Sequence, residues 1–355
     1  MTNHDFFKAL EEVSEEKGLE KEEILALMEK GLINAYKKET GKTNAGVRFN
    51  EESGEIYFYE YYDVVEDDQV EPDNQASVNL EKAKTIRRTA RIGDHIEIKL
   101  KINPKDFGRL AIDSTKNILN QGINNLEKKK SFEYFSQHVD EMIVGKVVNI
   151  KESTAYVDLG HNVTSTISLS ELPREEQRKG ANIKLYLSKV EETTKGPKVY
   201  VSRSDKNLVK RLFETFIPEI KDGTIEILGI ARDTGDRTKV CVKSNDPDVD
   251  ALGSCLGAKG TRVKDITNNL GGEKIDIYEW SDDPKQLIIN ALTPAEVIGV
   301  QFNQQEKQAI AIVPDDQFSL AIGKRGQNVR LAVQSSGWKI DIKNVTQAQE
   351  EGIEF

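Results

Sequence analysis

Two cysteines in 355 residues, Cys241 and Cys255, are too few for a disulfide framework or a zinc site. The four histidines (His4, His95, His138 and His161) are scattered without metal-ligand spacing, so no metal and no cofactor is expected. Long apolar runs are missing as well. Runs such as Leu287-Ile288-Ile289 extend over only a few residues, whereas a membrane span needs roughly 20 apolar residues, so no membrane partner is expected. The first residues, MTNHDFFKALEEVSEEKG, have neither a basic flank nor an apolar stretch, which excludes a signal peptide and makes a cytoplasmic protein the expectation. An excess of positive charge is also absent. With 50 Lys and Arg against 60 Asp and Glu the formal net charge is −10, and such a surface would repel phosphate over most of its area.

Charge is nevertheless concentrated locally. Residues 50–75 carry ten acidic residues, from Glu51 to Asp73, and no Lys or Arg. Windows 255–264 and 321–330 carry three cations each and no acid, so any contact with nucleic acid should be focused there. Hydrophobic residues are 37% and charged residues 31%, inside the range of folded soluble protein, and the length allows roughly two to four domains.

Phe6, Phe7, Leu10 and Val13 share a helical face that Gly18 ends; a second stripe, Ile24, Leu27, Met28, Leu32, Ala35 and Tyr36, runs to Gly41. A strand pair follows around Val47 and Phe49 and from Ile56 to Tyr62, with Ser53-Gly54 as the turn. The alternation from His95 to Ile102 predicts a half-buried strand, and residues 106–140, with no proline, predict one long helix acting as a strut between domains. Between 142 and 203, five short β-rich runs separated by Gly, Pro and charged turns have the rhythm of an OB-type barrel.

The last 150 or so residues contain an internal repeat. Cys255-Leu256-Gly257-Ala258-Lys259-Gly260-Thr261-Arg262-Val263-Lys264 corresponds to Ala321-Ile322-Gly323-Lys324-Arg325-Gly326-Gln327-Asn328-Val329-Arg330, and Lys274-Ile275-Asp276-Ile277 to Lys339-Ile340-Asp341-Ile342. Each copy reads αββααβ. A single Gly-x-x-Gly carries no information, but two in register between short helices, both beside Lys or Arg, predict a clamp for a nucleic-acid strand. The glycines let backbone approach the sugar–phosphate chain, and the N–H groups opening the next helix face phosphate. Lys259, Arg262 and Lys264, with Lys324, Arg325 and Arg330, supply counter-charge. In each copy a helix cap before the loop helices is expected, from Asp250 and from Asp316.

These loops and their flanking helices resemble the KH domain in its bacterial topology, which clamps about four nucleotides of a single strand. The stretch Gly145-Lys146-Val147-Val148, Tyr156-Val157-Asp158-Leu159-Gly160, Leu169-Ser170-Glu171-Leu172 and Val201-Ser202-Arg203 resembles the S-one type of OB fold. The resemblance implies strand binding through Tyr156, His161 and Arg203, although an aromatic usual in that family is Thr154 here and its histidine near Ser168 is missing. Tyr156 could equally be barrel core.

A barrel followed by two KH units, behind Glu29-Lys30-Gly31-Leu32-Ile33-Asn34-Ala35-Tyr36-Lys37-Lys38 and Asp106-Phe107-Gly108-Arg109-Leu110-Ala111, resembles the NusA family of bacterial transcription elongation and termination factors. The resemblance implies a multidomain α+β protein. Residues 1–140 would be a helical/β domain that binds RNA polymerase and ends in a long connecting helix; residues 141–203 would be the OB-fold barrel. Residues 204–280 and 281–347 would be tandem KH domains, and 348–355 a short tail. Arg109 and Lys116, seven residues apart on one helix face, would lie near emerging RNA. The partners implied are RNA polymerase, nascent single-stranded RNA and other antitermination factors, with the chain a monomer. The sequence stops soon after the second KH unit, so the acidic C-terminal repeats of some relatives, and contacts they make with the polymerase α subunit, are expected to be absent.

Enzymatic readings fail on the residues. Asp246, Asp248 and Asp250 alternate as in a calcium loop, but Pro247, Ala251 and Gly257 occupy positions that need other residues. The run from Gly253 to Thr261 lacks the Gly-Lys-Ser/Thr order of a phosphate loop. A non-enzymatic factor is expected, the alternative being a polymerase-independent RNA-binding protein in ribosome assembly or RNA chaperoning.

Overall fold

The computed structural model describes residues 11–12, 14–15, 19–50, 55–100 and 109–353. The chain forms two compact units, Met1–Phe132 and Glu133–Phe355.

In the first unit, helix Lys21–Thr40 opens with a capping box between Glu20 and Glu23 and stops at Gly41, whose φ of 71° ends the helix in left-handed backbone. Of the helix expected before Gly18, residues 11–12 and 14–15 are described and helical; the expected turn at Ser53-Gly54 lies outside the described residues. Strands β1 (Ala45–Asn50) and β2 (Glu55–Val64) pair antiparallel. The far end of β2 pairs with β3 (Ser77–Val78) in parallel and with β4 (His95–Lys99) antiparallel. One face of this sheet meets the helix: the Tyr36 ring lies 5.9 Å from Phe58, and Tyr36 Oη donates to buried Glu60 at 2.9 Å. Burial pushes the Glu60 carboxyl up, but hydrogen bonds from Lys42, Tyr62 and Tyr36 outweigh it and hold the group below its ordinary value. The expected long helix runs Arg109–Gln137. A Cβ on its Gly122 would meet Leu27 at 2.3 Å, so this glycine sets how closely it approaches the first helix.

The second unit begins with a barrel. Strands β5 (Met142–Lys151), β6 (Thr154–Asp158), β7 (Thr164–Ser168), β8 (Asn182–Thr193) and β9 (Gly196–Ser202) lie in the order β7-β6-β5-β8-β9. Ser165 on β7 donates to the Val199 carbonyl on β9 at 2.7 Å, joining the two ends of that order. Alternate residues Ala155, Val157, Ile183, Leu185 and Leu187 fill the interior, together with Phe135 from the end of the long helix.

Two αββααβ copies follow. In the first, helix Lys206–Phe216 buries Leu208, Val209, Leu212 and Phe213 against β10 (Ile225–Asp233) and β11 (Arg237–Ser244). Helices Ala251–Leu256 and Thr261–Asn269 flank the loop, and β12 (Lys274–Glu279) closes the sheet in parallel to β11. The second copy repeats this with Pro284–Leu292, β13 (Gly299–Asn303), β14 (Gln308–Val313), Phe318–Ile322, Gln327–Ser336 and β15 (Lys339–Asn344). Asp250 caps its helix by accepting from Gly253 N–H, as expected. Asp316 does not: the cap position of helix Phe318–Ile322 is Gln317, already in helical backbone and with no side-chain cap. Val345–Glu350 is a short helix with an Asn344/Gln347 capping box and a fully buried Ala348.

Candidate nucleic-acid interface

The two loops adopt one backbone conformation. Gly257 and Gly323 have φ/ψ of 70°/176° and 75°/171°. Lys259 and Arg325 sit in left-handed backbone at φ 54°, and Gly260 and Gly326 follow at φ 73° and 75°. Each loop thus holds three positive-φ residues within four positions, which puts a long cationic side chain at the turn itself. Lys259, Lys264, Lys324 and Arg325 are exposed and show no ion pair among the described residues.

The remaining predicted cations are already engaged. Arg262 Nη1 donates to Glu219 at 2.9 Å and to the Ser254 carbonyl at 2.6 Å, bracing the first loop from behind. At the equivalent position of the second copy, Asn328 is buried and its Nδ2 donates to the Leu292 and Ala321 carbonyls, both at 3.0 Å. Arg330 pairs with Asp233 of the first copy, and Gln327 donates to Asp233 and Asp236 at 2.9 and 2.8 Å. Helix Gln327–Ser336 therefore rests on the β10 strand of the first copy. A Cβ on Gly229 would lie 2.0 Å from the Ser335 carbonyl oxygen, and Tyr278 Oη donates to Ser335 Oγ at 2.9 Å in the buried seam. Buried Lys239 reaches across the same seam to the Thr293 carbonyl at 2.6 Å. Burial lowers its pKa despite the pull of Asp276.

The barrel residues divide. Tyr156 alternates with buried Ala155 and Val157, so it lies on the outer surface beside Thr166 and Asn149 and is not core. His161 stacks on Tyr134 at a centroid distance of 3.8 Å and meets Phe135 edge-on at 5.9 Å, so the end of the long helix covers one face of its ring. Arg203 corrects the expectation of a strand-binding cation. Its side chain is 2% exposed, chelating Glu176 through Nε (3.1 Å) and Nη2 (2.7 Å) and donating to the Asn269 carbonyl. It is an internal bolt between the barrel and the first αββααβ copy. Beside it, Arg232 binds Glu273 in bidentate fashion and donates to the Arg203 and Asp205 carbonyls. Glu171 accepts from Ser202, Ser204 and two backbone N–H groups. Those bonds hold its carboxyl below its ordinary value against the opposing effect of burial. Arg109 and Lys116 both fall within helix Arg109–Gln137, and their side chains lie outside the described residues.

Asn328 was legible by alignment with Arg262. Glu219, Asp233 and Gln327 were not, because their partners are 43, 97 and 94 residues distant. Among the described residues no helix is long and apolar enough to cross a membrane.

Comparison with known proteins places names on these parts. Residues 5–129 match the NusA N-terminal domain, 136–202 the S1 RNA binding domain, 203–280 the NusA-like first KH domain and 284–350 the NusA-like second KH domain. The transcription termination/antitermination protein NusA of Bacillus subtilis is 44% identical over 351 residues, covering 98% of this chain and 93% of that one. The Halalkalibacterium halodurans protein of the same name is 43% identical, covering 99% and 91%. That of Thermus thermophilus is 35% identical, covering 95% and 89%.

Proposed function

Because the chain belongs to the NusA family, we propose that it is a non-enzymatic transcription elongation factor that binds RNA polymerase and nascent single-stranded RNA and modulates pausing, intrinsic termination and antitermination. The observation that carries the RNA half is the pair of isostructural loops, each presenting exposed cations that form no ion pair among the described residues. Ala258, Lys259 and Gly260 with Lys264 form one clamp, and Lys324, Arg325 and Gly326 form the other. Gly257 and Gly323 give the close approach. Arg262 and Arg330 act by holding the loops in place, and Tyr156 offers a ring on the barrel exterior. The seam between the copies keeps both clamps at a fixed separation, so one strand can engage both.

Residues 1–140 serve as the polymerase-binding domain with its connecting helix, 141–203 as the barrel, 204–280 and 281–347 as the KH pair, and 348–355 as the tail. Arg109 and Lys116 contact RNA near its exit. Weak RNA contacts become effective because tethering to polymerase raises the local RNA concentration. Other antitermination factors join this cytoplasmic complex, and the chain acts as a monomer. The test is the lifetime of a hairpin-stabilised pause by the cognate polymerase. A longer pause that disappears when residues 1–140 are deleted supports the proposal; no change, with RNA binding intact, overturns it.

A further inference from the structure

The two αββααβ copies have one fold but unequal covering. Matching Lys274 with Lys339 sets their sheets in register. On the outer faces Cys241 then corresponds to Ile312, Lys239 to Ile310 and Arg237 to Gln308; beside them Gly229 corresponds to Gly299, Ala231 to Gln301 and Asp233 to Asn303. In the first copy all three rows lie against the second copy. Gly229 and Tyr278 meet Ser335, Ala231 and Lys239 are buried, and Asp233 accepts from Gln327 and Arg330. In the second copy, Ala309, Ala311 and Val313 face their own helices, so 308, 310 and 312 point outward. Only the Ile312 row is covered there. Helix Val345–Glu350 follows β15 as Pro284–Leu292 follows β12, and lies on β14 and β15 with Ile312 and Ala348 fully buried. Among the described residues no helix stands on this sheet where Gln327–Ser336 stands on the first. Gln301, Asn303 and Gln308 are exposed, Ile310 is half-buried, and they border a groove of about 640 Å³. Phe302, 43% exposed and edge-on to Trp338 at 6.1 Å, lies at its rim.

We infer that this groove takes an amphipathic helix of another protein, with small residues on its buried face and a basic residue in its opening turns. The inference stands apart from the RNA and polymerase readings. The occupant is read from the first copy, where a helix fills the same rows. That helix brings Ser335 so close to the sheet that a Cβ on Gly229 would lie 2.0 Å from its carbonyl oxygen, and a helix approaches so closely only through small side chains. On the second sheet Ile310 offers an apolar floor where the first sheet has Lys239. The turn before β14 holds exposed Glu306 at the groove, with no ion pair among the described residues; the turn before β11 holds Asp236, which accepts from Gln327. Lys339 also borders the groove, but it repeats Lys274, which stands in the row where Arg330 reaches Asp233. A second copy of this chain does not supply the helix: its own Gln327–Ser336 is buried in its seam and is released only by parting its two copies.

The test uses the full chain and, as probe, a fluorescein-labelled peptide of Gln327–Ser336 held helical by a hydrocarbon staple. Saturable binding is expected below about 1 mM. Ile310→Glu should weaken it about tenfold and Glu306→Lys about threefold, with melting curves unchanged. Glu306 is exposed, so its substitution carries the test even where Ile310→Glu fails to fold. A peptide carrying Gln327→Lys, which sets a cation opposite Glu306, should bind the unaltered chain about threefold more tightly and lose that gain on the Glu306→Lys chain; a structural defect does not produce such coupling. Absence of saturable binding at about 1 mM overturns the inference, as does binding indifferent to both Ile310→Glu and Glu306→Lys. A dimer in sedimentation that Ile310→Glu dissolves assigns the groove to a second copy and overturns it. Hexauridylate binding that Ile310→Glu abolishes in a normally folded chain assigns the groove to RNA and overturns it equally.

Discussion

The first and second KH loops share a backbone but not a brace. Behind the first, Arg262 reaches a partly exposed Glu219; behind the second, a buried Asn328 ties two carbonyls. A Cβ on Gly257 would press on the flexible Arg262 side chain at 2.7 Å, whereas on Gly323 it would meet the Asn328 backbone nitrogen at 2.7 Å. The second loop also carries two cations where the first has Ala258 and Lys259, and its following helix is pinned to the first copy by Gln327 and Arg330. Duplication preserved the geometry that presents charge, while support diverged. The first clamp can yield, and the second is built into the seam.

Substituting the glycines should expose that difference most strongly. Gly323→Ala should cost roughly 2–4 kcal/mol, from left-handed backbone plus a collision with main chain, and Gly257→Ala only roughly 1–2 kcal/mol. Calorimetric melting of the full chain, resolving the KH transition, compares them; equal losses would erase the distinction. Next in size is the RNA effect. Reversing Lys324 and Arg325 to Asp should weaken single-stranded RNA binding roughly 100-fold, and reversing Ala258 and Lys259 roughly tenfold, because fewer phosphates lose their counter-charge. Filter binding at fixed salt measures both.

The braces come third. Asn328→Ala removes two buried bonds and should cost roughly 2 kcal/mol, whereas Arg262→Ala breaks a partly exposed pair worth about 1 kcal/mol or less. Urea melts followed by tryptophan fluorescence report the second copy through Trp338, which belongs to its core.

The smallest effect concerns neither loop but the joint that both depend on. Glu171 has a carboxyl pKa below its unfolded value, so its contribution is fully present above roughly pH 4.5 and is lost as pH falls through the folded pKa. Glu171→Gln should flatten the acid side of the stability profile, seen by thermal melts from neutral to acidic pH.

Much of this architecture was legible from residues alone. The repeat register, the turn glycines and the Asp250 cap are local signals, and local backbone chemistry follows sequence directly. What escaped was the assignment of charge. Arg203, Arg262 and Arg330 read as free cations because a sequence shows a residue's sign and not its partner. Glu176, Glu219 and Asp233 lie 27, 43 and 97 residues away from them. Asp316 escaped for a different reason: the second copy enters its short helix without the Asx turn that serves the first. His161 read as a stacking residue and does stack, but on Tyr134 of the same chain.

The most direct measurement is single-stranded RNA affinity of the full chain in four forms: unaltered, first loop reversed, second loop reversed and both. Two clamps on one strand predict that each reversal weakens binding, the second more than the first, with melting curves unchanged. Affinity undiminished by both reversals in a normally folded chain would contradict the account.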